Sequence, residues 1–328
     1  MITLRPSQPD DSPALLTLFQ AQEQRQHQQD QRLALHTPQQ IRAFLEQEPG
    51  FVALNSAGQI RGYVQPAIWE VAPDSILQAF LTPQNGTVRL VLPHLEEDDA
   101  LEVLQRCLEQ AEQYWQAHHT TGDLVRWPST DPWIFPALTP FGFQLDSICA
   151  MHNPTTVTAA PKPATVRIRK ARPTDEKLLL QLLEEELRYH EAYTPFVRYC
   201  EAAHISFQRA LRRLWAGEPD APIVFVAETQ DTIIGMAENS LLPLTAEDTP
   251  GFVPAGIHWS IDNICVLSSW RGRGIGRQLL TAVFEKYQHV SPLHSMLLWY
   301  NPDNPQAAHF WQATGFRPLW TTYQRIHK

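Results

Sequence analysis

The sequence predicts an α/β fold built twice: two tandem domains, each a mixed, largely antiparallel twisted sheet flanked by helices. Three observations predict it. Strand-like and helix-like stretches alternate along the chain, a set of landmarks recurs half a chain apart, and a proline-rich stretch separates the two copies. The 328 residues accommodate two domains of roughly 150 residues each. With 43% apolar and 10% aromatic residues, each copy can build its own core.

The landmarks come in order. Ile2-Thr3-Leu4-Arg5 followed by Pro9 and Asp11 matches Val166-Arg167-Ile168-Arg169 followed by Pro173 and Asp175, at an offset of 164 residues. Each segment reads as a short strand, a polar turn and a leucine-rich amphipathic helix carrying Leu15, Leu16 and Leu18 or Leu179, Leu180 and Leu182. Phe51–Leu54 with Ile60–Tyr63, and Val224–Glu228 with Ile233–Gly235, read as matching β-hairpins. Gly142-Phe143 pairs with Gly315-Phe316 near the end of each copy. Residues 154–164 have no hydrophobic period and read as a semi-rigid linker, so the domains are expected at 1–153 and 165–328.

Composition excludes several classes of function. A net charge of −9 argues against a general nucleic-acid-binding surface. No apolar run approaches the ~20 residues needed to span a bilayer, and Met1–Pro6 lacks the apolar stretch of a secretory signal. Cys107, Cys149, Cys200 and Cys265 are scattered without a C-x-x-C pair, so no zinc site or disulfide frame is expected. The expectation is a cytoplasmic protein without a metal, and homodimerisation is left open.

The chemistry concentrates in the second copy. His258–Leu267 reads as a strand and Arg277–Tyr287 as a helix, with Arg271-Gly272-Arg273-Gly274-Ile275-Gly276 between them. Glycines let the backbone turn tightly and approach a ligand, while the first N–H groups of the helix point outward at the positive end of its dipole. Such a nest suits a diphosphate, with Arg271, Arg273 and Arg277 adding positive charge. It is not a P-loop, since no Lys-Ser or Lys-Thr follows, nor a dinucleotide fingerprint at the first strand–helix turn of its unit. Downstream, Ser295–Tyr300 reads as a strand. Asn304 and Pro305 then open a helix that Gly315 stops.

These residues resemble the GNAT superfamily of N-acetyltransferases. Its [RQ]-x-x-G-x-[GA] loop matches Arg271–Gly276, and a second segment matches at Asn304, Ala307, Phe310-Trp311 and Gly315-Phe316. The resemblance covers the second copy and, more weakly, the first, an arrangement similar to the tandem mycothiol-synthase type. It implies acetyl-CoA as acyl donor and a primary amine of a small molecule or peptide as acceptor. It further implies a bulge that splays the fourth and fifth strands, and pairing of the pantetheine arm with the backbone of Ile264, Cys265 and Val266. Arg271–Arg277, Asn304 and Trp311 complete the implied cofactor site. Two other readings stay open: an acyltransferase using a longer acyl-CoA, and a non-catalytic acyl-CoA-binding or regulatory protein.

Acyl transfer to an amine needs a neutral nucleophile and a proton for the leaving thiolate. A period of two puts His258, Ser260, Asp262 and Ile264 on one strand face. The resemblance implies a basic side chain or carboxylate at the positions of Ser260 and Asp262, which makes Asp262 the candidate base; an aspartate bonding a neighbouring backbone group or arginine is the other reading. Trp311 stands where the family commonly has a tyrosine acid, and an indole N–H has no useful acidity near neutrality. Either another group serves as the acid, with Tyr300, Tyr323 and His309 as candidates and Tyr300 taken first, or direct proton transfer suffices. Glu184-Glu185-Glu186 with Tyr189, His190, Glu191 and Tyr193 read better as a solvated helix face than as an acidic acceptor pocket. Gln20–Gln31 reads as an exposed helix or mobile loop, and His118-His119 as a solvated helix end.

In the first copy the strand Val88–Leu92 leads into Glu96-Glu97-Asp98-Asp99, with no glycine. A carboxylate 4 Å from a phosphate charge costs about 1 kcal/mol in water and ~4 at an effective dielectric of 20. The first copy is therefore expected not to hold the cofactor. Calorimetry should count one equivalent of acetyl-CoA per chain; a count of two would overturn this expectation.

Overall fold

The computed structural model describes residues 1–47, 50–93, 99–152, 166–230, 232–245, 253–287 and 293–327. The linker expected at 154–164 and Glu96-Glu97-Asp98 of the acidic loop lie outside the described residues. The first half runs β1 (Thr3–Pro6), α1 (Ser12–Gln29), α2 (Pro38–Gln47), β2 (Phe51–Leu54), β3 (Ile60–Glu70), β4 (Gln84–Pro93), α3 (Ala100–Ala117), β5 (Gly122–Pro128), α4 (Phe135–Leu138) and β6 (Gln144–His152). The second half repeats that order as β7 (Arg167–Lys170), α5 (Glu176–His190), α6 (Glu201–Ala216), β8 (Ile223–Thr229), β9 (Thr232–Leu244), β10 (Gly256–Val266), α7 (Ile275–Tyr287), β11 (Leu293–Tyr300), α8 (Pro305–Ala313) and β12 (Arg317–Ile326).

The repeat extends to side chains. Arg5 and Asp11 form a two-pronged ion pair that ties β1 to the start of α1, and Arg169 and Asp175 do the same for β7 and α5. In both cases the aspartate also accepts a backbone N–H at the helix entrance, from Gln8 or from Arg172. A planar guanidinium matches a carboxylate bidentately, so one pair fixes both the strand end and the helix start.

All strands join one 12-stranded sheet in the order β1-β2-β3-β4-β5-β12-β6-β11-β10-β9-β8-β7. Neighbours are antiparallel except β4 with β5 and β10 with β11. The order reads the same from either end, and within it the last strand of each half is exchanged. β12 pairs with β5 of the first half, β6 pairs with β11 of the second, and β6 and β12 pair with each other. Apolar side chains alternate to the two faces of the sheet, as half-buried strands require.

Each face of each half carries its own core. In the second half, α7 and α8 cover one face through Leu279, Leu280, Val283 and Trp311, joined by Phe316 between α8 and β12. There α5 and α6 cover the other face through Leu179, Leu182, Leu183, Phe207 and Leu211. Ala79 of the first half packs into that second core, while Leu33, Cys149, Met151, Val253, Leu297 and Trp320 join residues of both halves. The glutamine-rich stretch read as exposed forms the end of α1, and Glu23 and Gln26 in it are buried. Cys107, Cys149, Cys200 and Cys265 are all free thiols.

Strand exchange makes the halves mutually dependent. Cutting the chain between residues 154 and 164 should leave two fragments that co-elute on size exclusion and melt in a single transition. Separation under native conditions would show that β6 and β12 do not hold them together.

Candidate active site

The site begins where two strands part. β10 and β11 pair in parallel from Ile257 only as far as Ile261 with Leu298. Beyond that point β10 continues along β9 to Val266, and β11 stays with β6 through Trp299 and Tyr300. The β11-facing backbone edge of Asp262–Val266 therefore borders a wedge-shaped cleft of about 670 Å³. A bulge sits at the apex: Ile261 pairs with Asn239 and Asn263 with Glu238, so Asp262 is the extra residue. Such an insertion bends the strand and ends the local register. It also corrects the face expected from a simple period of two. Trp259 and Ile261 pack on the α7 side before the bulge and Ile264 and Val266 do so after it, which moves Ile264 away from the face of Ser260. Cys265 turns into the α5 core, where burial raises its thiol pKa well above the usual value, so it offers backbone only.

The glycine loop closes one end of the cleft at the start of α7. Gly272 and Gly274 have φ of +74° and +77°, and a Cβ at either would meet nothing within 4 Å, so both backbones stand open. Positive φ is cheap for glycine and strained for other residues. Gly276 is different: a Cβ there would press on the Phe310 ring at 3.3 Å. The arginines are arranged unevenly. Arg271 donates from Nε to the Val266 carbonyl at 3.0 Å and lies over the Tyr189 ring at 3.9 Å, bracing the loop against β10 and α5. Arg273 stacks on Trp270 and is not among the cleft residues, while Arg277 is exposed at its rim. Backbone N–H groups and the α7 dipole are thus the main anion-attracting features of this end.

The part of the cleft around the bulge is acidic. Asp262 opens to the cleft but is crowded elsewhere by protein, and its pKa is raised by burial against the opposing effect of two hydroxyl donors. Ser260 Oγ donates to Oδ1 at 2.5 Å and Ser240 Oγ to Oδ2 at 2.7 Å. Glu238 on β9 is buried, and burial followed by the charges of Asp262 and Glu186 raises its pKa well above normal. Glu186, in the last turns of α5, is pushed up to about 7 by burial, with the Asn263 side chain and Arg271 pulling it down. Its Oε2 has no hydrogen-bond partner among the described residues. His190, 3.8 Å away, is held below its usual pKa by burial and then by Arg271. Glu186 is thus part of the cleft and not of a solvated face. Its signal was present in the sequence: it falls at the i+4 and i+3 positions from Leu182 and Leu183, inside the apolar stripe. Glu238 directly follows the apolar run Ile233–Ala237.

The remaining expected residues distribute between cleft and core. Tyr300, at the end of β11, lines the cleft and is mostly buried, which raises its phenol pKa. His309 lines the cleft from α8 and is exposed. Tyr323 is elsewhere, stacked on Phe135 in the core of the first half. Trp311 borders the cleft but packs edge-on against Phe310 and Phe316 in the core. Asn304 caps α8, its Oδ1 accepting from the N–H groups of Gln306 and Ala307 at 3.1 and 3.2 Å.

The corresponding features of the first half differ. Among the described residues, α3 begins with Asp99, paired with Arg61, and has Glu102 in its first turn. Asp131-Pro132 stands where the second half has Asn304-Pro305. Its carboxylate collects Arg25 and the indole N–H groups of Trp127 and Trp133, which close that end of the first-half wedge.

Residues 179–316 match the model of the acetyltransferase (GNAT) family. A search of curated proteins finds no match. Among solved structures, a GCN5-related N-acetyltransferase from Sphaerobacter thermophilus aligns at 14% identity and a TM-score of 0.58, over 99% of this chain and 95% of that one. A glucosamine N-acetyltransferase region of a fungal multi-domain β-N-acetylglucosaminidase aligns at 13% identity and a TM-score of 0.55, over 99% of this chain but 38% of that one. A tandem GNAT protein from the clavulanic acid biosynthesis pathway aligns at 15% identity and a TM-score of 0.48, over 99% and 98% of the two chains. The two likenesses above 0.5 are likenesses of fold.

Burial of Glu186 carries a stability cost with a definite sign. Its folded pKa of about 7 lies above its ordinary 4.5, so ionisation opposes folding as pH rises between those values and the cost is complete above them. Glu186→Gln should therefore stabilise the chain by on the order of 1–3 kcal/mol at pH 8, with the gain shrinking toward pH 5. Denaturant titrations at the two pH values measure it; equal gains at both would remove the ionisation argument.

Proposed function

From the match of residues 179–316 to the acetyltransferase (GNAT) family we propose that the chain moves an acetyl group from acetyl-CoA to a primary amine of a small molecule or peptide, in the cleft of its second half. The observation that carries this reading is the juxtaposition in one cleft of an open strand edge, a positive-φ glycine loop at a helix start, and two carboxylates, Glu186 and Asp262, with Glu238 buried close by. The fit to coenzyme A is supported by the loop, where Gly272 and Gly274 leave backbone N–H groups unobstructed by any Cβ. Gly272–Arg277 would hold the diphosphate. The backbone of Ile264, Cys265 and Val266 would pair with the pantetheine arm in the manner of an added strand, with the Val266 carbonyl already engaged by Arg271. Asn304 and Trp311 would contribute by shaping the α8 wall. The bound donor supplies the activated thioester.

The protein's own residues then have separable tasks. Asp262 and Glu186 line the cleft and attract the ammonium form of the acceptor to the bulge. Glu186, with a pKa of about 7, is matched to take a proton near neutrality, and Asp262 is the second candidate base. Tyr300 Oη lines the cleft and stays protonated, so it is the phenol available to protonate a leaving thiolate in place of the tyrosine replaced by Trp311, while burial makes it a weaker acid than a free phenol. The first half, with acidic residues at the start of α3 and a closed cleft end, is proposed not to bind coenzyme A.

Release of free coenzyme A across a panel of primary amines tests the reading. With an accepted amine, kcat/KM should rise with pH through about 7, the Glu186 value, because only the ionised carboxylate accepts a proton. Glu186→Gln should remove that limb, and Asp262→Asn should lower kcat by about tenfold or more. Gly274→Val should weaken donor binding instead. Donor binding without turnover on any amine would contradict the proposal.

A further inference from the structure

The first half keeps a cleft of its own. β4 and β5 pair only from Asn85 with Gly122 to Thr87 with Leu124, then part. A bulge between Gln65 and Pro66 leaves Arg89 as the extra residue of β4, in the position that Asp262 has in β10. The wedge opens into a cavity of about 460 Å³, within the size range of small-molecule sites.

Its chemistry is inverted relative to the second half. Where the second half has Glu186, Glu238 and Asp262, the equivalent positions here are Gln22, Gln65 and Arg89. Arg126 on β5 adds a second guanidinium to the wall, 5.5 Å over the Trp69 ring and within electrostatic reach of Asp146 on β6, whose carboxyl pKa is pushed up to about 6 by burial. The one carboxylate among the lining residues, Glu23, is taken by the backbone N–H and ring of His36. Gln26 is 7% exposed and lines the cavity, and its Nε2 donor has no partner among the described residues. Gln22 donates to the Val91 carbonyl at 3.1 Å and leaves its own Oε1 unmatched. Trp69, Trp127 and Trp320 provide broad apolar surface, the last supplied by the second half through β12.

A vestigial cleft has no need of a buried, unmatched donor such as Gln26 Nε2, since such a group is costly unless something bonds it. We propose that this cavity is a second binding site, for a small organic carboxylate with an aromatic or aliphatic body. The carboxylate lies against Arg126 and Arg89, Gln26 Nε2 donates to it, and the apolar body rests on the tryptophans. Guanidinium groups favour carboxylates through paired N–H donors, and indole faces favour flat apolar groups. The site is independent of the acetyl-CoA cleft and selects the opposite charge from the amine pocket.

The test uses the full-length protein with phenylacetate, indole-3-acetate and octanoate as probes and their neutral amides as controls, read by calorimetry and saturation-transfer NMR. At least one carboxylate should bind with Kd below about 1 mM, and its amide at least about tenfold more weakly. Arg126→Met should weaken binding by about tenfold or more, and Arg89→Gln, at the exposed rim, by a smaller factor. Acetyl-CoA binding, unchanged in both variants, reports that they fold. Failure of all three carboxylates to bind below about 5 mM, amides binding as tightly as the acids, or binding undiminished in both variants would each overturn the proposal.

Discussion

The structure depends on the place where β10 and β11 stop sharing hydrogen bonds. A parallel pair that ran to its end would leave no wedge and no free backbone edge. The pairing ends at Ile261 and Leu298 because Asp262 is an extra residue in β10 and because β11 has another partner to follow. That partner, β6, belongs to the first half of the chain. Buried backbone groups must be paired, so a strand can leave one neighbour only if another, or a ligand, satisfies it. The first half therefore helps hold open the cleft of the second, whatever else it does.

The same backbone device appears in both halves and has been put to opposite electrostatic uses. Bulge, splay and cavity recur, with Asp262 in one and Arg89 in the other. In the second half, crowding Glu186, Glu238 and Asp262 around one point raises all three pKa values, mainly because burial disfavours the charged form. That crowding costs stability, and a site that attracts ammonium groups and accepts protons near neutrality is a reason to bear it. In the first half the corresponding positions are amides and a guanidinium, the acidic crowding is gone, and the end of the wedge is closed by Arg25, Asp131, Trp127 and Trp133. Geometry was retained after duplication while charge diverged, as expected when backbone pairing is set by many cooperating residues and charge by few.

What could be read from the sequence was local. The glycine loop, the Asn304-Pro305 helix start and the repeated hairpins are written in contiguous residues, because φ preferences, capping and alternation act over a few positions. The duplication was legible for the same reason, through landmarks such as Arg5 with Asp11 and Arg169 with Asp175, whose ion pairs the structure displays twice. Asp262 was legible as a cleft residue, but its bulge was not, and a strict period of two put Ile264 on the wrong face. Glu186 was visible as a glutamate on an apolar stripe, yet its meaning needed Glu238 and Asp262 beside it.

By itself the sequence determined the class of the chain, its twofold repeat and the loop Arg271–Gly276, since each rests on neighbouring residues and short-range geometry. Only the tertiary structure decided that β6 and β12 change places, that Arg271 braces the loop against Tyr189, and that three carboxylates distant in sequence meet at one bulge. The physical reason is common to all three. Strand partners are chosen by hydrogen bonding across a sheet, and pKa values are set by whatever burial and charge the fold brings near. Neither has a period or a motif along the chain.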